Sequence, residues 1–134
     1  MGKRFFTILL LIGGLGLGWG CKKEGVPPGE VGLMEAEAWL KAGEALAVDV
    51  NVEEVRQEYG VLPGAVLLDS ASSYEVGLLP KDKSLKLIFY CLNKRCTASH
   101  IAAKRAQSMG YKRVYVLSEG IQAWKEAKLP ASTP

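Results

Sequence analysis

From residue 34 onward the apolar positions switch repeatedly between helical and strand spacing, and each switch marks an element boundary. Met34 to Lys41 has helical spacing, with Met34, Ala38, Trp39 and Leu40 expected to face inward and Gly43 to stop the helix. Ala45 to Val50 reads as a short, nearly continuous apolar strand. Asn51 then offers an N-cap with Glu54 three residues on, the spacing of a capping box, which predicts a helix to about Tyr59. Leu62-Pro63-Gly64-Ala65 turns the chain into a second apolar strand, Val66 to Leu68. The segment Asp69 to Ser84 is less regular and predicts one or two helical turns between Ser73 and Leu79. The apolar run Leu85 to Tyr90 suits a strand covered on both faces. Thr97 to Met109 predicts a helix with Ala98, Ile101, Ala102, Ala106 and Met109 on its buried arc; Arg105 falls within that arc and must snorkel. Gly110 ends this helix, Val114 to Leu117 is the next strand, and Ile121 to Ala127 is a last helix stopped near Pro130.

Strands alternating with helices imply crossover connections. The expected fold is therefore α/β: a small, mainly parallel central sheet flanked by helices on both faces. Ligands in such folds bind beyond the carboxyl ends of the strands. One such end carries Cys91, in the stretch Tyr90-Cys91-Leu92-Asn93-Lys94-Arg95-Cys96-Thr97-Ala98-Ser99-His100. A thiol there faces a helix N-terminus, whose unpaired N–H groups favour negative charge, and Lys94 and Arg95 push the same way. The expectation is a reactive thiolate with a pKa below the free value of about 8.5.

The first 20 residues stand apart from this pattern. Lys3 and Arg4 precede an uncharged apolar run, Phe5 to Leu17, that is short for a membrane span of about 20 residues and is broken by glycines. Residues 1–20 are expected to be a secretory signal peptide. Its end, Leu17-Gly18-Trp19-Gly20-Cys21, resembles the lipobox of bacterial lipoproteins, although Gly18 stands where Leu is usual and Trp19 is bulky for its place. That resemblance implies lipid on Cys21, membrane anchoring, and a mature chain facing the periplasm or cell exterior. An ordinary cleaved signal with an incidental cysteine is the alternative. Residues 21–32, with Pro27, Pro28 and several glycines, read as the lipidated cysteine and a flexible tether, and residues 33–132 as the folded domain.

Composition adds little and excludes some classes. A net charge of +3 spread over 134 residues, with Lys and Arg scattered among Glu and Asp, gives no footprint for nucleic acid. No glycine loop is built to cradle phosphate, no cluster has metal-ligand spacing, and no cofactor is implied. Three cysteines leave Cys91 and Cys96 as a pair once Cys21 is set aside.

The ordered pieces Val48-Asp49-Val50, Leu62-Pro63-Gly64-Ala65, Phe89-Tyr90-Cys91, Met109-Gly110-Tyr111 with Val114-Tyr115-Val116, and Gly120-Ile121-Gln122-Ala123-Trp124 with Leu129-Pro130 resemble a rhodanese domain, the sulfurtransferase family. The resemblance spans about Met34 to Pro130. It implies that Cys91 is the nucleophile and carries a persulfide. It also implies that the loop residues Leu92, Asn93, Lys94, Arg95 and Cys96 bind the sulfur donor through backbone N–H groups. A subgroup with a second cysteine closing the loop and a Ser soon after is matched by Cys96 and Ser99, so Cys96 is a candidate resolving thiol. The implied function is an extracytoplasmic sulfurtransferase passing sulfane sulfur to a thiol or cyanide. The alternatives are a Cys91/Cys96 dithiol–disulfide redox module and a non-catalytic binding or sensing domain. Expected partners are a small sulfur-containing anion, a thiol or persulfide, and the membrane, with the chain otherwise monomeric.

Departures from the family pattern are Asn51 for the Arg that usually follows Asp-Val, Val61 for a His, and Glu119 for the first of two glycines. Phosphatases of this fold carry an Arg six positions after the cysteine; that position is Thr97, so the guanidinium that would clamp a phosphoryl group is missing. Leu92 is expected as an apolar lip of the loop, His100 as solvent-facing, and Asp49 and Asp69 as loop-bracing acceptors. Trp39 and Trp124 are expected to be packing residues.

Overall fold

The computed structural model describes Gly20 and residues 25–134; the expected signal peptide and the Cys21 lipidation site lie outside the described residues. Five parallel strands form one sheet: β1 (Gly29–Glu30), β2 (Ala45–Asp49), β3 (Val66–Leu67), β4 (Lys86–Tyr90) and β5 (Val114–Leu117). Their spatial order is β1-β5-β4-β2-β3. Four helices connect them: α1 (Leu33–Lys41), α2 (Glu53–Tyr59), α3 (Ala98–Ser108) and α4 (Gly120–Glu126), with a single 3-10 turn at Val76–Leu78. The α/β expectation holds, with helices on both faces.

Strand β4 shows why the sheet is central. Leu87 and Phe89 point into one core with Val48, Val116, Ala102, Ala103 and Ala106, whereas Ile88 and Tyr90 point into the other with Ala36, Leu62, Ile121 and Trp124. These four side chains are fully buried, as period-two alternation requires of a strand covered on both sides. Helix α3 packs on the first face alone, and α1, α2 and α4 share the second. From β2 the chain crosses outward to β3, and from β4 it crosses the other way to β5. The crevice between the carboxyl ends of β2 and β4 is therefore the switch point at which such folds place ligands. Val50 N donates to Tyr90 O at 3.0 Å there, which sets the segment after β2 beside Cys91.

Several expectations need correction. Gly29–Glu30, expected within the tether, pairs with Tyr115 and Val116 of β5, and Val31 is buried with its N donating to Val116 O at 3.0 Å. Helix α1 starts one residue earlier than expected, so Leu33, Ala36, Trp39 and Leu40 face the core, while Met34 and Ala38 are exposed. Helix α2 is preceded by Val52, not capped by Asn51, and no side chain caps it. Asp49 Oδ1 takes the Asn51 N–H at 2.8 Å, which turns Asn51 inward and removes the capping box. In α3 the buried stripe is Ser99, Ala102, Ala103 and Ala106; Ile101 is exposed. An alanine-rich helix has no large side chain to mark its inner face, and Ser99 is drawn in by its bond to Cys91. Trp124 is buried as expected, with Nε1 donating to Pro130 O at 2.9 Å, and Trp39 stacks edge-on against Tyr115.

Candidate active site

Cys91 follows the last residue of β4, is buried, and is a free thiol. Its carbonyl accepts Ile121 N at 2.9 Å, and the Leu92 carbonyl accepts Gln122 N at 3.0 Å, so the first turn of α4 holds the start of the loop. Gly120 makes this approach feasible. It has a φ of +72°, and a Cβ added there would lie 2.7 Å from Asn93 N and closer still to the Leu92 carbonyl. Glu119, which stands for the first family glycine, adopts an ordinary right-handed conformation, so the substitution leaves this contact intact.

Asn93 organises the turn itself. Its Oδ1 accepts Arg95 N at 3.0 Å, its carbonyl accepts Cys96 N at 3.1 Å, and its Nδ2 donates to Gln122 Oε1 at 3.1 Å. The turn returns the chain so that the Cys96 carbonyl sits 3.5 Å from Cys91 Sγ. Helix α3 then begins without a side-chain cap. Cys91 Sγ lies 3.4 Å from Ser99 Oγ, and the hydroxyl and N–H of Ser99 both favour the thiolate.

The net balance at Cys91 nevertheless runs against expectation. Burial, the largest influence, pushes the thiol up, and the neighbouring Cys96 side chain adds to the rise; Ser99 opposes both without cancelling them. Lys94 and Arg95 are exposed, so their charges sit in water rather than against the sulfur. The reading of a thiol below its ordinary value is thus corrected, because the expected cations stay outside while the sulfur goes inside.

The five predicted loop residues are brought together but divide in kind. Lys94 and Arg95 line an open groove of about 570 Å³ with Asn93, Glu119, Gln122 and Glu126. Leu92, expected as a lip, instead packs half-buried against the core on the α4 side. Cys96 is half-buried beside Cys91. His100 is 40% exposed and approaches Glu30 Oε1 at 3.3 Å rather than the thiol. Asp49 braces the switch crevice as expected, accepting from Asn51 N and from Arg56 Nε at 3.0 Å. Asp69 is exposed and makes no side-chain hydrogen bond among the described residues, so its bracing role is not realised.

Three residues of this region carried no clear signal. Arg56 reaches from α2 to Asp49, with a second nitrogen donating to Leu68 O at 2.6 Å, and so brings a guanidinium to the aspartate although Asn51 follows Asp-Val. Its helical spacing was visible, but a charged residue 8% exposed is not read from pattern alone. Gln122 anchors Asn93, and only its place in the Gly-Ile-Gln-Ala-Trp run hinted at proximity. Tyr90 Oη accepts Leu62 N at 2.9 Å, and burial together with the Asp49 carboxylate holds its phenol protonated. Among the described residues, no group of three His, Cys, Asp or Glu side chains is placed to hold a metal ion.

Residues 33–127 match the rhodanese-like domain family, and the chain belongs to that family. None of the curated proteins matches the chain. Among solved structures it is similar to a Rhodopseudomonas palustris protein of unknown function described as a possible tyrosine phosphatase. That pair shares 28% identity over 78% of this chain and 85% of the other, with a TM-score of 0.63. A human single-domain sulfurtransferase is 26% identical over 76% of this chain and 97% of its own, with a TM-score of 0.58. A Pseudomonas aeruginosa thiosulfate sulfurtransferase shares the fold at 23% identity and a TM-score of 0.65, over 78% of this chain and 20% of that one.

Proposed function

We propose that this chain is a sulfurtransferase, exported and held to a membrane through lipid on Cys21, that carries sulfane sulfur as a persulfide on Cys91. The observation that carries this reading is the placement of a free, buried thiol at the switch crevice, with the Ser99 hydroxyl 3.4 Å from its sulfur. The Cys91 thiolate attacks the outer sulfur of a thiosulfate-like donor. The sulfur–sulfur bond of the donor breaks, sulfite leaves with the bonding pair, and the persulfide stays on the enzyme. An acceptor nucleophile, a thiol or cyanide, then takes the outer sulfur and returns Cys91 as thiolate. Arg95 N and Cys96 N are taken by Asn93, but the Leu92, Asn93 and Lys94 N–H groups have no acceptor among the described residues and are available to the anionic donor. Lys94 and Arg95 raise its concentration at the mouth. No cofactor takes part in this scheme.

Phosphoryl transfer, the activity suggested for the Rhodopseudomonas relative, is less well supported. Position 97 carries Thr, Arg56 is committed to Asp49 and Leu68, and Arg105 is committed to the Tyr74 carbonyl. Among the described residues, no guanidinium is thus fixed over the sulfur.

The test is to incubate the reduced chain with thiosulfate, trap it rapidly with an alkylating agent, and locate added sulfur by mass. Wild type gains sulfur on Cys91, and Cys91→Ser gains none and falls to the uncatalysed rate of thiocyanate formation. A chain with free thiols that takes no sulfur from thiosulfate or from an organic thiosulfonate sinks the proposal and leaves a binding role for the fold.

A further inference from the structure

We propose that Cys96 resolves the Cys91 persulfide from within the loop, releasing hydrogen sulfide and leaving a Cys91–Cys96 disulfide. The inference rests on the sulfurtransferase reading and assigns a second reaction to the same site: reduction of the carried sulfur instead of its transfer.

The two residues are held together by the loop itself. The Asn93-centred turn closes with Cys96 N on Asn93 O, and it brings the Cys96 carbonyl to 3.5 Å from Cys91 Sγ. Residue 96 thus touches the Cys91 sulfur through its own backbone, which holds the second thiol on the neighbouring side chain. Both thiols are free, with Cys91 buried and Cys96 half-buried. A persulfide on Cys91 therefore forms next to a second thiol, in a loop of the length that joins the two residues.

The step balances without an outside oxidant. The Cys96 thiolate attacks the inner sulfur, Cys91 Sγ. The bond from Sγ to the outer sulfur breaks, and hydrosulfide leaves with the electron pair and takes up a proton. The outer sulfur is reduced by two electrons, and the two thiols are oxidised to one disulfide. Attack on the outer sulfur would instead expel the Cys91 thiolate. That alternative only moves the persulfide to Cys96 without reducing it, whereas loss of hydrosulfide ends the sequence in a disulfide. Return to the dithiol then requires an external dithiol reductant acting by exchange. That fixes the class of reaction that must follow: thiol–disulfide exchange at the half-exposed Cys96 side of the bond.

Single-turnover loading separates this inference from the reading beneath it. The reduced full chain, freed of reductant, is loaded with thiosulfate, stripped of donor and followed for sulfide and for alkylatable thiols. Wild type is expected to release sulfide in proportion to the sulfur loaded and to end as a Cys91–Cys96 disulfide found by peptide mass. Cys96→Ser, with Cys96→Ala as a second variant, is expected to hold its persulfide and release at least ten-fold less sulfide. A wild-type persulfide that persists while Cys96 remains alkylatable overturns the inference and leaves the sulfurtransferase standing, and so does equal sulfide release from the Cys96 variants. A wild-type chain that never takes up sulfur overturns both.

Discussion

At the scale of single residues, the chemistry turns on how one sulfur is kept reactive while buried. Burial lowers the fraction of Cys91 present as thiolate near neutral pH, yet a thiolate of higher basicity is intrinsically the better nucleophile. Ser99 is the residue that keeps this compromise workable, because its hydroxyl, 3.4 Å from the sulfur, and its N–H both favour the charged form. Ser99→Ala removes the hydroxyl and leaves the N–H. A hydrogen bond to a charged group is stronger than one between neutral groups, so its loss is expected to push the thiol further up. The sign is fixed by which form the bond favours: losing a donor to the thiolate destabilises the charged state. The pH profile of Cys91 alkylation should therefore begin its rise above the ordinary thiol range in wild type and be displaced further upward in Ser99→Ala. A profile unchanged by the substitution would show that Ser99 serves only to pack α3. The position of the nucleophile was legible in the chain, since a thiol between an apolar strand and a helix start has few other places to go. Its ionisation was not, because a sequence shows which cations are near in number but not on which side of the backbone they fall.

At the scale of elements, the loop is less a free connection than a strap tied down by α4. Two backbone bonds, Ile121 N to Cys91 O and Gln122 N to Leu92 O, and the Asn93–Gln122 side-chain bond fix its first half. All of them require the backbone contact that only Gly120 permits. Gly120→Ala places a Cβ into the Leu92–Asn93 peptide and forces a left-handed conformation on a residue with a side chain. The expected cost is on the order of 3 kcal/mol, read as a lower urea midpoint. Sulfur loading of Cys91 should also slow in the fraction that remains folded. Glu119→Gly, at the neighbouring departure from the family, should do neither, since Glu119 needs no unusual backbone. Strong period-two and helical runs were legible: β4, β5 and the helical identity of α1 to α4 follow from pattern and from glycine stops. Inner faces were misjudged where the pattern lacked contrast. Alanine on α3 gives no contrast, and the Asp49 side chain removed the Asn51 cap through a contact across the turn that local propensity does not report.

At the scale of the whole molecule, the two-residue strand β1 joins the active-site layer to the chain that leads toward Cys21. A strand that short carries no periodic signal, which is why residues 29–31 read as tether. Gly29 abuts the Tyr115 ring, where an added Cβ would be 2.8 Å from Cδ1, and Val31 is 5% exposed. Glu30 bonds the Ser118 hydroxyl at the end of β5 and approaches His100 on α3, so the same short segment touches the elements on either side of the sheet edge. The domain thus begins before residue 33, and the edge of β5 is covered by its own chain instead of being left open for pairing. Val31→Ala removes two buried methyl groups and is expected to lower stability by about 2 kcal/mol. Met34→Ala, in the exposed position that helical spacing had placed inside, should change stability by no more than about 0.5 kcal/mol. Urea denaturation of the two variants beside wild type decides the matter. Equal midpoints for Val31→Ala and wild type would mean that the segment is tether after all. A lowered midpoint with unchanged sulfur loading would place its contribution in closing the sheet edge, one strand removed from β4 and its thiol.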